Sequence, residues 1–424
     1  QADLMRWFPI LDHSGDPIPY VPRTKQKWLL SEELHEGQWH LAANAGYPCY
    51  IGGIHMINRQ IGWAQNVSTL IATNDWITEQ SAILRTTNGG ASWKTVLCAS
   101  PEDDVASFAR DKDTAWVTAV YDESTNVTVL RTTDGGLTWR RAVLNGPYAI
   151  EDCELFFPAA DQGRILLIPD HGMNSMPGYL YGWGYGDDWQ LINSTENSGN
   201  YRDDSDGSEP GFADRHPYLI CGGSIAFQDM TNGWLLGQMT TTTRPFLFFT
   251  RDGGVNWQEQ KFELPQSLHD GSIVPQKLPE FFGRDGIVET SFVPSDGEAT
   301  NDYAIFYKTR DSGETWQPAT PVKSIGVYSF ISSKNGWDWC PQLHDSNSTA
   351  PARGTLYRTV DGAERWTAVN MKESLENYLT RGQSIIQLDF VDDAYGWAIA
   401  QDWRNQTQLL KTTDGGETWT METP

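Results

Sequence analysis

Cysteine is scarce in this chain of 424 residues, with five at Cys49, Cys98, Cys153, Cys221 and Cys340. No two stand at C-x-x-C spacing, which argues against a structural zinc or a dithiol redox pair. A chain of this length builds its core without disulfide staples, so buried free thiols are expected. Positive charge is scarce too: 31 Lys and Arg face 55 Asp and Glu, a formal charge of −24. Like charges repel, so nucleic acid and anionic membrane surfaces are not expected as partners. No apolar run approaches the roughly 18 residues of a membrane span. Helical periodicity is nearly missing, with one short candidate near Met371 to Leu379. The chain opens on Gln1 without a charged-then-apolar leader. That reads as a mature chain after signal-peptide removal, and a secreted or extracytoplasmic location is expected.

What the chain has in plenty is 39 Gly, 19 Trp, 16 Tyr and 16 Phe. Glycine supplies tight turns, and aromatic residues favour strands and large sheet-packing contacts. One phrase recurs six times, ending in Trp93, Trp139, Trp257, Trp316, Trp366 and Trp419; a worn seventh copy runs from Tyr181 to Trp189. Successive closing tryptophans stand 46, 50, 68, 59, 50 and 53 residues apart. A second phrase, a strand and a turn leading to Gly-Trp or Ala-Trp, precedes most copies and places Trp63, Trp116, Trp234, Trp337 and Trp397. Each unit therefore reads strand A, turn, strand B, loop, strand C, turn, strand D. Seven such units predict an all-β, seven-bladed β-propeller of four-stranded antiparallel blades. Residues 46–424 form that single domain, and residues 1–45 are an extension expected to help close the ring, as a strand or a cover for the last blade. A monomer without a cofactor is expected.

The clearest copy of the first phrase, Thr132, Asp134, Gly136, Thr138 and Trp139, resembles the Asp-box (BNR-type) repeat. The aspartate is expected to accept turn amides, the glycine to permit positive φ, and the tryptophan to pack between blades. The repeat pattern is most similar to the photosystem II stability/assembly-factor-like propellers, and more distantly to sialidase and xyloglucanase propellers. The resemblance spans about Gly46 to Trp419. It implies Asp-boxes in the C–D turns, a ligand face built from D–A and B–C loops, and a scaffold or assembly role. The F/Y-R-I-P phrase of sialidases has no equivalent; the nearest string is Val21-Pro22-Arg23.

Propellers work through their loops, and four stand out: 191–217, 258–285, 64–82 and 338–354. A channel-mouth site on the D–A/B–C face is expected between blades 3, 4 and 6. Glu151, Asp152, His171 and His216 are its acid–base candidates, because a carboxylate pair with a nearby His suits glycoside chemistry. Arg284, Arg381, His344, Asp345, Trp183 and Tyr218 are its ligand-binding candidates. Asp204, Asp206 and Glu209 cluster oxygen ligands suited to a structural calcium, although the EF-hand register fails at Arg202 and Ala213. Two functions fit: binding of a protein or polysaccharide through the loop face without catalysis, or a carbohydrate-active hydrolase or lyase. Two carboxylates, one with a raised pKa, in an aromatic-lined cleft would favour the enzyme.

Overall fold

The computed structural model describes residues 8–9, 21–22, 27–30, 49–71, 77–99, 103–121, 124–169, 178–184, 189–194, 224–238, 245–295, 303–323, 326–341, 354–372, 375, 379, 383–402 and 407–422. They form seven antiparallel sheets in chain order, each built on four consecutive strands, A to D. In blade 2 these are Asp103–Ala109, Ala115–Tyr121, Asn126–Thr132 and Arg140–Asn145. The A strands of blades 1, 3, 4, 6 and 7 are Cys49–Met56, Ile150–Ala159, Ser224–Phe227, Val327–Phe330 and Ser384–Phe390. In blade 5 the A strand is split into Gly271–Pro275 and Glu280–Phe282, both paired with Asp285–Pro294. The A strands of blades 2 and 3, 3 and 4, and 6 and 7 lie against one another, and that of blade 7 meets that of blade 1. The chain is an all-β, seven-bladed propeller around a central channel, and no α-helix occurs among the described residues.

The second phrase explains how the blades interlock. Its phenylalanine ends strand A and lies over the glycine that opens strand B. A Cβ on Gly336 would stand 2.5 Å from Phe330, and one on Gly396 would stand 2.5 Å from Phe390. The next residue faces the other side of the sheet. There its indole meets the phenylalanine of the following blade: Trp116 stacks on Phe157 at 3.9 Å and Trp337 on Phe390 at 4.0 Å between centroids, while Trp234 lies tilted by 33° against Phe281 at 4.3 Å. The indole N–H then reaches a turn carbonyl of that next blade, as Trp63 donates to Asp111 O, Trp337 to Gly415 O and Trp397 to Gly89 O. Strand C adds a cation opposite the indole. Arg85, Arg131, Arg358 and Lys411 pair with Trp63, Trp116, Trp337 and Trp397. Their charges sit 5.6, 5.7, 5.0 and 5.5 Å from those rings.

Two blades replace the tryptophan. In blade 3, Arg164 takes the position, lies 5.4 Å from the Phe227 ring and donates to Gly253 O and Met230 O of blade 4. In blade 5, Ile287 takes it and packs with Phe330 of blade 6. The seam between blades 7 and 1 is made like the rest. Besides Trp397, Gln387 accepts from Ile54 N at 3.0 Å and donates to Ile54 O at 2.7 Å, and Asp389 accepts from Met56 N at 2.6 Å. Blade 7 draws its four strands from residues 384–422. The described N-terminal pairs extend other blades: Phe8–Pro9 joins strand D of blade 2, and Lys27–Leu30 joins that of blade 1. Most of residues 1–45, and with them the expected part in ring closure, lie outside the described residues.

The first phrase forms the C–D turn. Thr132 Oγ1 donates to Asp134 Oδ1 at 2.8 Å and accepts from Gly136 N at 2.9 Å, while Asp134 Oδ1 accepts from Thr138 N at 2.9 Å. Thr309 and Asp311 repeat the set in blade 5, and Thr412 and Asp414 in blade 7. Gly135 and Gly136 turn at φ of 75° and 85°, which a side chain resists. Partial burial works against the Asp134 charge, but the Thr138 and Thr132 donors prevail and hold its carboxyl below the ordinary value. The same balance brings Asp311 down to about 2.

Two expected loops prove to be sheet. Residues 64–82 lie mostly in strands Gly62–Ile71 and Ile77–Thr86, and residues 258–285 contain the A strand of blade 5. Cys98 and Cys153 are free and buried, and Cys340 is half-buried.

Gly396→Ala is expected to cost about 1–3 kcal/mol by overpacking against Phe390. Gly184→Ala, whose new methyl would meet only Gln162 at 3.8 Å, should be close to neutral by calorimetry. Asp134→Ala should cost on the order of 1–3 kcal/mol through unpaired turn amides, read as a lowered melting temperature.

Candidate functional site

The strand A residue opposite the strand B indole or its replacement turns toward the next blade, as Ser329 does in accepting from Phe390 N and Asp389 in accepting from Met56 N. Around the ring these positions are His55, Phe108, Phe156, Ala226, Glu280, Ser329 and Asp389. Their following neighbours Met56, Phe157, Phe227, Phe330 and Phe390 are buried. Four blades thus place uncharged side chains on this level, while blades 5 and 7 place carboxylates and blade 1 an imidazole.

Glu280 keeps an exposed surface but is ringed by protein. Loss of hydration, then the Asp389 charge, push its carboxyl up to about 7, with Lys277 opposing them. Burial also pushes Asp389 up to about 7, while its bond from the Met56 amide acts the other way. His55 likewise keeps an exposed surface, and burial holds its imidazole below the ordinary value. Glu280 lines a cavity of about 570 Å³ between blades 4 and 5, with Phe156, Phe227, Trp234, Phe281 and Asp229 in its wall. Gln228 donates to Gly283 O across that seam.

Beside this cavity lies a second polar group, in the seam between blades 5 and 6. The bulge that splits the A strand of blade 5 carries Lys277. Its Nζ lies 3.5 Å from Glu289 Oε2 and 3.8 Å from the centroid of Tyr328. Asp338 enters from blade 6; burial, then the Glu289 charge, push its carboxyl up to about 7 against the opposing Lys277. Asp338 is 8% exposed, and its Oδ1 has no hydrogen-bond partner.

A third group occupies the D–A end of blades 2 and 3. Glu151 and Asp152 meet Asp104 and Thr118 around a cavity of about 390 Å³. Asp152 Oδ1 accepts from Cys153 N at 2.7 Å. One turn of the pleat further in, burial and the Asp152 charge push Glu154 up to about 7, against a hydrogen bond with Ser224.

The expected site residues divide accordingly. Glu151 and Asp152 stand together at the D–A end, as their strand positions imply. Arg284 does not: it lies in the A–B turn of blade 5, where its carbonyl accepts from Ser312 N, because the A strand precedes it rather than follows it. Trp183 belongs to strand C of blade 3, is 4% exposed, and packs 6.1 Å from Trp189 and 5.3 Å from Arg131. His171, His216, Tyr218, His344, Asp345 and Arg381 lie outside the described residues, as do the calcium candidates Asp204, Asp206 and Glu209. Among the described residues, no group of three His, Cys, Asp or Glu is placed to hold a metal ion, and no helix is long and apolar enough to cross a membrane. Sequence reasoning missed Glu280, Glu289, Asp338, Asp389 and Lys277. The available signal was position, and for Asp389 alone: it directly precedes the phenylalanine of the second phrase, which blade 5 does not keep.

No family model matches the chain. Among solved structures it is similar to a prolyl endopeptidase at 11% identity and a TM-score of 0.53, covering 100% of this chain and 58% of that one. It is also similar to a polysaccharide lyase, an ulvan lyase, at 10% identity and a TM-score of 0.47, with 89% and 97% covered. A fucose-binding lectin of the fungus Aleuria aurantia, a six-bladed propeller, matches at 10% identity and a TM-score of 0.38, with 85% and 93% covered. These likenesses extend to the fold alone.

The raised carboxyls make a prediction about stability. Their folded values lie near 7 for Glu154, Glu280, Asp338 and Asp389, above the roughly 4 of an unfolded chain. Between about pH 4 and 7 the folded state keeps protons that the unfolded state has released, so stability falls as pH rises through that window. The melting temperature should be lower at pH 8 than at pH 5. Asp338→Asn should raise it at pH 8 and flatten the profile; an unchanged profile would show that Asp338 ionises freely.

Proposed function

We propose that the protein is a carbohydrate-active propeller that cleaves glycosidic bonds at its channel, beside blades 4, 5 and 7. The observation that supports this is Glu280, a carboxyl raised to about 7, lining a 570 Å³ aromatic-walled cavity within electrostatic reach of Asp389. Glycoside hydrolysis needs one carboxyl that carries a proton and a second that is ionised. Here the Met56 amide favours the charged form of Asp389, and that charge then holds the proton on Glu280. Glu280 would donate to the leaving oxygen, and Asp389 would act as base or nucleophile from blade 7. The half-buried rings of Phe156 and Phe281 offer apolar walls to sugar C–H faces. A cavity of this volume suits a small ligand or the end of a chain.

The second reading is binding of a glycan or protein without turnover, in a secreted scaffold or assembly role like that implied by the Asp-box resemblance. The cavity walled by Glu151, Asp152 and Asp104 at the D–A end favours it.

Glu280→Gln and Asp389→Asn should each lower turnover of chromogenic glycosides by roughly 100-fold or more. Their melting temperatures at neutral pH should not fall. Wild-type turnover should decline as pH rises above about 7, where Glu280 loses its proton. Ligand binding lost through Glu151→Gln and Asp152→Asn, with no turnover in wild type, would instead establish the second reading.

A further inference from the structure

The seam between blades 1 and 2 departs from the others. At the end of strand A, six blades carry Met56, Phe157, Phe227, Phe281, Phe330 and Phe390, each lying over a glycine of strand B. In blade 2 that pair is Ala109 and Ala115. With no large side chain to accommodate, strand B can carry a methyl group there. Two residues earlier, on the same face of the strand, blades 1, 3, 4, 6 and 7 place Ile54, Leu155, Ile225, Tyr328 and Leu388. Blade 2 places Ser107. Both changes remove bulk from the face that blade 2 turns toward blade 1, and a cavity of about 370 Å³ lies there. Trp63, Ala109, Ala115, Ser107, Gln65 and His55 are in its wall. At three other seams the same position holds a phenyl ring against the preceding indole, 3.9–4.3 Å between centroids. Strand A of blade 2 offers Trp63 no such ring.

We propose that this cavity binds an uncharged small molecule built on one aromatic ring with a hydroxyl-bearing substituent, the ring taking the place of the missing phenylalanine. Size allows it: an apolar cavity of about 150 Å³ is enough for benzene, and 370 Å³ leaves room for the substituent. Charge narrows the choice. The lining holds no Asp, Glu, Lys or Arg, and His55 is its one basic side chain. Burial holds that imidazole below its ordinary value, so near neutral pH it offers a donor and an acceptor without charge. A carboxylate or ammonium would lose water in the seam and find no counter-charge in the wall. Polar contacts are available at the mouth, where His55 and Ser107 are both exposed. Ser107 Oγ donates to Gln65 Oε1 at 3.3 Å, and Gln65 Nε2 donates to Val105 O at 3.0 Å. The Ser107 oxygen keeps its acceptor capacity for a ligand hydroxyl. This site is separate from the cavity between blades 4 and 5 and does not depend on the reading given to that one.

The test is titration calorimetry on the whole chain at neutral pH, with benzyl alcohol, toluene, cyclohexylmethanol and benzoate as probes. Benzyl alcohol should bind at a single site with a dissociation constant of about 1 mM or below, within reach of a ligand of so few atoms. Cyclohexylmethanol is of similar size but not flat, and benzoate is flat but charged. Each should bind weaker by roughly tenfold or more. Ala109→Phe combined with Ala115→Gly rebuilds the pair that the other blades use. That variant should melt no lower than wild type and should lose the benzyl alcohol site. His55→Leu, at an exposed position, should leave the melting temperature unchanged and weaken benzyl alcohol more than toluene. No binding of benzyl alcohol to the wild type would overturn the proposal. Undiminished binding to the folded double variant would also sink it, by putting the ligand elsewhere. If the double variant does not fold, the His55→Leu arm decides: benzyl alcohol affinity equal to wild type would exclude this cavity. Cyclohexylmethanol or benzoate binding as tightly as benzyl alcohol would refute the choice of an uncharged aromatic ring.

Discussion

Three of the seven seams are locked by one aromatic contact, the strand B indole against the strand A phenylalanine of the next blade, and much of the sequence pattern follows from it. The rings stand 3.9–4.3 Å apart at three seams, with interplanar angles down to 1°. For the phenylalanine to reach that position it must lie flat over its own sheet, and only a residue without Cβ leaves the space. Hence Gly336 and Gly396 precede their tryptophans. The cation on strand C then covers the indole from within its own blade and reaches into the next. Arg85 donates to Lys112 O, Arg358 pairs with Asp393, and Lys411 donates to Gly89 O. Buried aromatic area supplies most of the cohesion, and the polar contacts fix the register of blade on blade.

That lock also explains how a ring can close through side chains. A propeller often needs its first and last blades tied by a shared sheet, but here the four strands of blade 7 come from consecutive chain. The seam to blade 1 uses the same indole-to-turn bond as other seams, Trp397 to Gly89, and adds the exchange between Gln387 and the Ile54 backbone. Asp389 belongs to this seam as well, holding Met56 N at 2.6 Å. The proposed acid–base pair therefore includes a residue that the ring uses for closure. Its geometry is fixed by the fold instead of by a loop, which suits a site that must hold two carboxyls in a set relation.

The fold was legible because the two phrases encode the lock itself: Gly and Trp mark strand B, and the Thr-Asp-Gly turn marks the end of strand C. Legibility failed where a blade keeps the geometry with other residues. In blade 5 Phe281 is followed one residue early by Gly286, and Ile287 stands in place of the indole, so the phrase vanishes and residues 258–285 read as a loop. That single misreading moved Arg284 from a turn to a channel mouth and hid Glu280 altogether. Blade 3 hides its lock differently, since Arg164 trades ring stacking for a cation over Phe227 and two carbonyl bonds. Glu151 and Asp152 were recovered because their place at the start of a strand depends on chain order alone. The pKa shifts at Glu280, Asp338 and Asp389 arise first from burial in the assembled ring, which no local pattern contains.

The distribution of charge ties these points to function. The C–D turns use aspartates as acceptors of many backbone donors, and there the carboxyl is held low and stays ionised. The inner strands use the same residue types with few donors and in mutual company, and there the carboxyls rise to about 7. Fold maintenance rewards the first environment; in the second, Asp389 holds Met56 N across a seam, a contact that Ser329 makes to Phe390 N without a charge. Like-charged, poorly donated carboxyls in an enclosed lumen cost the folded state stability above about pH 4. A protein that keeps them gives up stability at a defined place, beside a cavity with aromatic walls. Such a concentration of cost is what a working site imposes on a scaffold that would otherwise avoid it.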